Sequence, residues 1–239
     1  FVGRDEVIRG IYSSLTNSMG RKSLVQSAIV GIGGVGKSQI AIEYCHRCFN
    51  VDYDLICWLR AENPASIAAS LRQLAFDLGI IEIEKFRSVD GVSNANYVDD
   101  FTVAEEVKRR LGRCRCRWLL VFDNLEEPSI IQHFLPSGLL GAGAPGDQIG
   151  YEGKFTGHVL VTSRLDVTTW AENGTCHRIE CFSPSESEHF LVSALNDGEG
   201  NLGGGGIDEA YILQDLYILA EKMGHLPLAL SMAAAYMQR

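Results

Sequence analysis

Hydrophobic and polar positions along the chain form two repeating patterns. Short, nearly continuous apolar runs are typical of strands covered on both faces, and longer stretches carry apolar residues at helical spacing. The apolar runs predict five strands, at residues 23–30, 54–60, 117–123, 158–164 and 176–180. The helical spacing predicts four helices in the same part of the chain, at residues 7–15, 37–48, 64–78 and 101–111. Strands that alternate with helices predict an α/β fold with a parallel sheet between helices.

After residue 182 the pattern changes to helices alone. Ser183, Pro184 and Glu186 combine an N-cap, a proline at the first helical position and a capping-box acid. The predicted helices cover residues 183–195, 208–223 and 227–238. Stretches that lack periodicity, at residues 82–100, 137–157 and 196–206, are predicted loops. We therefore expect an α/β domain over residues 1–181 and a small all-helical domain over residues 182–239.

The glycine-rich stretch after the first predicted strand carries the clearest chemistry. Gly31, Gly36, Lys37 and Ser38 occupy the fixed positions of the pattern G-x-x-x-x-G-K-[ST]. Glycines let backbone N–H groups turn inward around an anion, and the helix that begins near Lys37 adds the positive end of its dipole. We therefore predict a phosphate-binding loop in which Lys37 reaches the β- and γ-phosphates and the Ser38 hydroxyl binds Mg²⁺.

Asp123 and Arg164 end two of the predicted strands, and each is a charged residue with a candidate role. In phosphate-loop NTPases the acid after a buried strand holds Mg²⁺ on the side away from the loop serine, which predicts this role for Asp123. An aspartate that only starts a turn is the alternative. Arg164 follows another strand and could sense the γ-phosphate, because open α/β sheets bind ligands at the carboxyl edge. A plain surface arginine is the alternative for this position.

Composition narrows the function classes. The chain has 239 residues, of which 46% are hydrophobic, and this is enough for an α/β domain with a small helical one. The 30 acidic and 21 basic residues give a net charge of −9, the wrong sign for a protein that coats nucleic acid. No apolar stretch is long enough to span a bilayer, and no signal peptide opens the chain. We therefore expect no nucleic-acid or membrane partner and a cytoplasmic protein, and the initial Phe1 predicts a fragment of a longer one.

The chain contains seven cysteines, an odd number scattered through strand-like and helical segments. This distribution predicts a reducing compartment. Cys45 with Cys48, and Cys114 with Cys116, could be imagined as a zinc site. The first pair falls on the helix after the phosphate loop, where cysteine is an ordinary small apolar residue, and we favour that packing role.

Taken in order, five short motifs resemble those of the NB-ARC domain. They lie at residues 1–4, 31–38, 119–124, 161–164 and 224–230. That family of signal-transducing switch ATPases includes apoptosis scaffolds, plant immune receptors and many fungal, algal and bacterial relatives. The resemblance covers nearly the whole chain, and the phosphate loop is the most specific of the five motifs.

The resemblance implies a role for each matching position around a bound ADP or ATP. Adenine would lie against Val2, Gly3 and Arg4, and Arg164 would be the first sensor. Pro227 would pack on the base or ribose, although a proline that merely begins a helix is the alternative. The residues implied to wrap the phosphates are Gly31, Ile32, Gly33, Gly34, Val35, Gly36, Lys37, Ser38 and Gln39.

Three features depart from the family pattern. The sequence stops after the predicted helix at residues 227–238, so the winged-helix part that the resemblance implies is expected to be missing from it. Asn124 stands where many relatives carry a second acid after Asp123, and an amide cannot take a proton from water. Hydrolysis is therefore expected to be slow, with Glu126 or Glu127 as acids that could substitute. The catalytic set that the resemblance implies is Lys37, Asp123, Asn124 and Arg164. His225 replaces a more usual leucine and is expected to be an exposed turn residue.

The function that the resemblance implies is a Mg²⁺-dependent ADP/ATP switch, at most a weak ATPase. The full-length protein would self-associate when activated, and it would carry effector and repeat sensor domains outside these residues, in defence or cell death. Two alternatives remain open: a steadily cycling phosphate-loop ATPase or kinase, and a nucleotide-stabilised scaffold that never hydrolyses. A GTPase is disfavoured, because the guanine-reading [NT]-K-x-D pattern is absent after the predicted strands.

Overall fold

The computed structural model describes residues 3–16, 25–80, 100–114, 116–135, 157–165, 175–197 and 209–238. The strands in these ranges are β1 Val25–Val30, β2 Leu55–Arg60, β3 Trp118–Leu125, β4 Gly157–Ser163 and β5 Thr175–Arg178. The helices are α1 Asp5–Thr16, α2 Lys37–Cys48, α3 Pro64–Asp77, α4 Asp100–Arg113, α5 Pro128–Ile131, α6 Pro184–Asp197, α7 Glu209–Lys222 and α8 Pro227–Met237. All but α5 correspond to predicted elements. Helix α5 and the 3₁₀ turn Gln132–Phe134 that follows are too short to show a helical period.

The five strands form one sheet in the order β2-β3-β4-β1-β5. All neighbouring strands in it are parallel, as the α/β prediction requires, so their carboxyl ends meet at one edge. Strand β4 lies between β1 and β3. This order brings the segments that follow β1, β3 and β4 together at the edge where open α/β sheets bind ligands.

Helices cover both faces of the sheet. Leu120 on β3 belongs to an apolar cluster with α3 and α4, and its neighbour Leu119 belongs to a second cluster with α1 and α2. The Trp118 indole is 2% exposed and donates its Nε1–H to the Leu111 carbonyl at 3.1 Å, which fixes β3 against α4. Burial on both faces explains why the sequence of β3 is continuously apolar.

Helices α6, α7 and α8 have an apolar cluster of their own, formed by Leu191, Leu216, Ala220, Leu230 and Ala234. The predicted capping box begins α6: the Ser183 N–H donates to Glu186 Oε2 at 2.7 Å, and the Glu186 N–H donates to Ser183 Oγ at 3.2 Å. The expectation that His225 is an exposed turn residue is right about the turn and wrong about the exposure. Its side chain is half-buried with Nδ1 2.9 Å from Ser187 Oγ, because the α7–α8 turn packs on the start of α6.

Some expectations concern residues outside the described ranges. These are Val2 and most of the predicted loops, namely residues 82–99, 137–156 and 198–206. Gly157, which the sequence places at the end of a loop, begins β4 instead. Within the described residues, every helix is too short or too polar to cross a membrane.

The cysteines differ in part from the expectation of reduced thiols. Cys114 and Cys116, just after α4, are joined as a disulfide. On α2, burial raises the pKa of the Cys45 thiol to about 12 and that of the Cys48 thiol to about 11. Such thiols stay protonated and are poor metal ligands. Over the ranges that the structure describes, no three His, Cys, Asp or Glu side chains form a group that could hold a metal ion.

Candidate nucleotide-binding site

A cleft of about 650 Å³ opens at the carboxyl edge of the sheet. One side is the loop between β1 and α2, and the opposite side is formed by α6 and α8. The cleft therefore lies between the sheet and the three C-terminal helices. The residues that line it are Arg4, Gly33, Gly34, Val35, Gly36, Lys37, Ser38, Gln39, Ile40, Glu62, Asp123, Asn124, Thr162, Arg164, Phe182, Phe190, Pro227, Leu228 and Ser231.

Lys37 is folded back onto the loop that contains it. Its side chain is buried, and its ammonium donates to the carbonyl of Gly31 at 2.9 Å and to the carbonyl of Ile32 at 2.8 Å. Burial lowers the pKa of Lys37, and the positive charge of Arg164 lowers it further, while Asp123 acts in the opposite direction. Two cations therefore face the same cleft, and a polyanionic ligand would relieve their mutual repulsion.

Asp123 links the phosphate loop to the neighbouring strand. Its Oδ1 accepts a hydrogen bond from Ser38 Oγ at 2.6 Å and a second from Thr162 Oγ1, also at 2.6 Å. The Thr162 hydroxyl accepts the backbone N–H of Asn124 at 2.8 Å. The hydroxyl of Ser38 and the carboxylate of Asp123 are hard oxygen donors, which fit the ligand preference of Mg²⁺.

Arg164 follows β4 and lies beside the loop. Its guanidinium carbon is 3.9 Å from the position that a Cβ atom would take on Gly33. The side chain lines the cleft together with Lys37, so the loop and the end of β4 present their charges to the same volume. This placement is compatible with the predicted sensing of a terminal phosphate.

Part of the cleft lining is apolar. The rings of Phe182 and Phe190 lie 5.7 Å apart, and Pro227 and Leu228 line the same cleft. Arg4 lies over the Phe182 ring, with its guanidinium 4.8 Å from the ring centre and its Nη2 donating to the Glu180 carbonyl at 2.7 Å. Apolar lining residues together with a basic loop suit a ligand with a flat base and a phosphate chain.

The structure brings together most of the residues that the sequence singles out. Those that line the cleft are Arg4, Gly33, Gly34, Val35, Gly36, Lys37, Ser38, Gln39, Asp123, Asn124, Arg164 and Pro227. Gly31 and Ile32 contribute carbonyls to Lys37 instead. Gly3 lies beside Glu186, outside the cleft lining, and Val2 is outside the described residues.

The expectation about substitute acids needs correction. Glu126 and Glu127, named as acids that could substitute for Asn124, are exposed beyond the end of β3 and do not line the cleft. Sequence reasoning also missed two residues of the cleft, Glu62 and Thr162. Glu62 lies two positions after β2 and Thr162 is the next-to-last residue of β4, and both strands pair with β3. The sequence does mark both residues, since each is a polar residue at the carboxyl end of an apolar run. Their proximity to Asp123, however, follows only from the order of the strands in the sheet.

The sheet order and the loop between β1 and α2 define a phosphate-loop NTPase fold. Two solved structures have this fold: the ORC1 protein of Aeropyrum pernix, solved in complex with DNA, and Cdc6p of Pyrobaculum aerophilum. The first is 15% identical with a TM-score of 0.61 and the second 14% with a TM-score of 0.61. Both alignments cover all of this chain, and they cover 62% and 64% of those chains. At such identities the likeness concerns the fold alone.

The sequence comparison is more specific. A curated nucleotide-binding leucine-rich repeat (NLR)-like protein of the fungus Hyaloscypha variabilis is 26% identical over 245 residues, which covers all of this chain. The chain spans about a fifth of that relative's length, since the match covers 22% of it. No family model matches the chain. The name of this relative agrees with the resemblance to the NB-ARC domain that the five ordered motifs carry.

Proposed function

We propose that the chain binds ADP and ATP with Mg²⁺ and acts as a nucleotide-dependent switch. The observation that carries this proposal is a cleft with two unlike sets of lining residues. Ser38 and Asp123, joined by a hydrogen bond of 2.6 Å, belong to the polar set. Phe182, Phe190 and Pro227 belong to the apolar set. A nucleotide that contacts both sets would touch the sheet and the C-terminal helices at once.

In this proposal each part of the ligand has its own set of residues. Arg4 and Pro227 would lie beside the base or ribose, and the resemblance implies the same contact for Val2 and Gly3. Lys37 and Arg164 compensate the charge of the β- and γ-phosphates, and Ser38 and Asp123 hold Mg²⁺, which supplies Lewis-acid stabilisation of phosphate charge. The loop amides from Gly31 to Gln39 surround the phosphates.

The switch itself depends on the boundary between the α/β part at residues 1–181 and the helical part at residues 182–239, which we propose as two domains. ADP would hold the two closed, and exchange for ATP would favour a second arrangement because the two nucleotides differ in their affinity for the two states. Slow hydrolysis would return the ADP form. We propose further that a longer protein contains effector and repeat sensor domains and self-associates when activated. We place that protein in the cytoplasm and give it a role in defence.

The first experiment identifies the nucleotide. The purified chain is denatured, and any released nucleotide is separated by chromatography, alongside a Lys37→Ala variant and an exposed-lysine control, Lys222→Ala. We expect stoichiometric ADP from the unaltered chain and from Lys222→Ala, and none from Lys37→Ala.

If the chain is purified empty, added ADP at about 100 times its Kd should raise the free energy of unfolding by about 2.7 kcal/mol. A chain that releases no nucleotide and gains no stability from ADP or ATP with Mg²⁺ contradicts the proposal.

A further inference from the structure

The cleft contains a carboxylate that neither the motifs nor the resemblance assigns. Among the residues that line it, Asp123 and Glu62 are the two that carry carboxylates. Glu62 follows β2, and it is exposed to solvent. No hydrogen-bond or ion-pair partner is present for its side chain among the described residues. It is therefore an ionisable group that borders both the cleft and a second groove beside β2 and α3, and it has no structural task in the fold.

Backbone pairing fixes the position of Glu62 relative to Asp123. Strand β2 pairs with β3 so that Arg60 lies opposite Asp123. The next residue, Ala61, donates its N–H to the Asp123 carbonyl at 2.8 Å. On the far side, Asn63 caps α3 by accepting the Ser66 N–H at 2.9 Å. The residues on both sides of Glu62 are therefore fixed: Ala61 is bonded to β3, and Asn63 is the N-cap of α3. This places the backbone of Glu62 beside the segment of β3 that contains Asp123 and Asn124.

The other candidates for activating water are less suitable. Oδ1 of Asp123 already accepts from Ser38 and Thr162, and Asp123 is the proposed ligand of Mg²⁺. The Asn124 amide has no basic lone pair that could take a proton at neutral pH. Glu126 and Glu127 lie outside the cleft. Glu62 is therefore the carboxylate that combines access to the cleft with freedom from other bonds.

We propose that Glu62 is the general base for ATP hydrolysis, an inference that rests on the proposed function. The oxygen of a water molecule forms a bond to the γ-phosphorus, and the bond from that phosphorus to the β,γ-bridging oxygen breaks. The electron pair of the broken bond stays on the β-phosphate of ADP. The proton lost by the water passes to the Glu62 carboxylate and then to solvent, so the products are ADP and phosphate. The base follows β2, the strand next to β3, and takes over the task that Asn124 cannot perform.

The test is single-turnover hydrolysis of pre-bound ATP, which removes nucleotide release from the measured rate. General-base catalysis typically contributes about 100-fold or more, so we expect Glu62→Gln to lower the rate by at least about tenfold. ADP and ATP affinities should stay within about twofold, because Glu62 is not a phosphate ligand. Glu126→Gln and Glu127→Gln are matched controls on the neighbouring strand end and should hydrolyse at the unaltered rate. Glu62→Asp keeps a carboxylate and should retain more activity than Glu62→Gln.

The outcomes separate this inference from the function on which it rests. A Glu62→Gln variant that hydrolyses ATP as fast as the unaltered chain overturns the role of Glu62. An unaltered chain that binds ATP without any turnover also overturns it, while nucleotide binding stands and the scaffold alternative gains. A chain that binds neither nucleotide removes the proposed function and, with it, the basis for Glu62.

Discussion

At the scale of single residues, Thr162 controls the acid at the centre of the cleft. Its hydroxyl has one proton and two lone pairs, and it uses both capacities: it donates to Asp123 Oδ1 and accepts the Asn124 N–H. The residue is 1% exposed, so water cannot easily replace either bond. The direction of the Asp123 carboxylate, and with it the proposed Mg²⁺ site, therefore depends on a residue of the adjacent strand.

Replacing Thr162 by valine keeps the shape of the side chain and removes both bonds. A buried group left without its partner costs about 1–3 kcal/mol, and we expect this loss in the free energy of unfolding measured by urea denaturation. We also expect about tenfold weaker ATP binding in the presence of Mg²⁺, with a smaller change in EDTA. Thr162→Ser, which retains the hydroxyl, is the control. Equal affinity of the valine and serine variants for Mg²⁺–ATP would mean that Thr162 does not orient Asp123.

A second residue-scale consequence concerns pH. His158 on β4 is 8% exposed, with its Nδ1 2.7 Å from the Tyr53 hydroxyl. Burial lowers the pKa of His158 from 6.5 to about 4, although the charge of Asp52 acts in the opposite direction. The unfolded chain therefore binds a proton at a higher pH than the folded chain does. The resulting contribution to stability is fully present above about pH 6.5 and is lost as the pH falls towards about 4.

The loss of stability at low pH can be measured. A shift of this extent corresponds to about 3 kcal/mol, and we expect the free energy of unfolding to fall by about that amount between neutral pH and pH 4 through His158. Burial lowers the pKa of His177 as well, so some acid sensitivity should remain without His158. His158→Asn, which offers Tyr53 an acceptor that does not titrate, should reduce the pH dependence. The free energy of unfolding of both chains is measured by urea denaturation at several pH values across this range. If it changes with pH equally in both chains, His158 is not the group responsible.

At the scale of elements, the hydrophobic pattern predicts the strands and helices well because burial dictates both. Helix α2 has the predicted bounds, since it begins at Lys37 after the glycines and ends at Cys48. Strand β3 runs two residues past Asp123, to Leu125, because Leu125 pairs with Ser163 after an irregularity in the register. Such an extension depends on the partner strand, and the sequence of β3 alone does not contain it.

The residues of the candidate site also fall into those that the sequence predicts and those that depend on the arrangement of the strands. The placement of the phosphate loop, Asp123 and Arg164 around one cleft could be predicted because each lies at the end of a recognisable strand, while their roles stay predictions. Glu62 and Thr162 could not be ranked, because their proximity to Asp123 follows from β2 and β4 both lying next to β3. The exposure expected for His225 is wrong for a similar reason, since its partial burial depends on the contact between the α7–α8 turn and α6.

At the scale of the whole molecule, one backbone hydrogen bond joins the two parts of the chain at the phosphate loop. The Leu228 N–H, in the first turn of α8, donates to the Gly34 carbonyl at 3.1 Å. Gly34 has a φ of +82°, and a Cβ atom there would lie 3.2 Å from the Cβ of Leu228. The loop that would hold phosphates is therefore bonded directly to the first turn of α8, and we expect a change in the loop to reach the helical part through this contact.

A pair of glycine substitutions separates this contact from ordinary backbone strain. Gly79 has a φ of +63°, and no described atom lies within 4 Å of the position that a Cβ atom would take there, so Gly79→Ala should cost only the left-handed penalty of about 1 kcal/mol. Gly34→Ala should carry that penalty and also push Leu228 away. We expect it to lower stability further in urea denaturation, to speed amide hydrogen exchange at the start of α8, and to weaken ADP binding, while Gly79→Ala leaves exchange in α8 and ADP affinity unchanged. If both variants exchange alike in α8, the phosphate loop and the helical part are not coupled through this bond, and the switch must use another contact across the cleft.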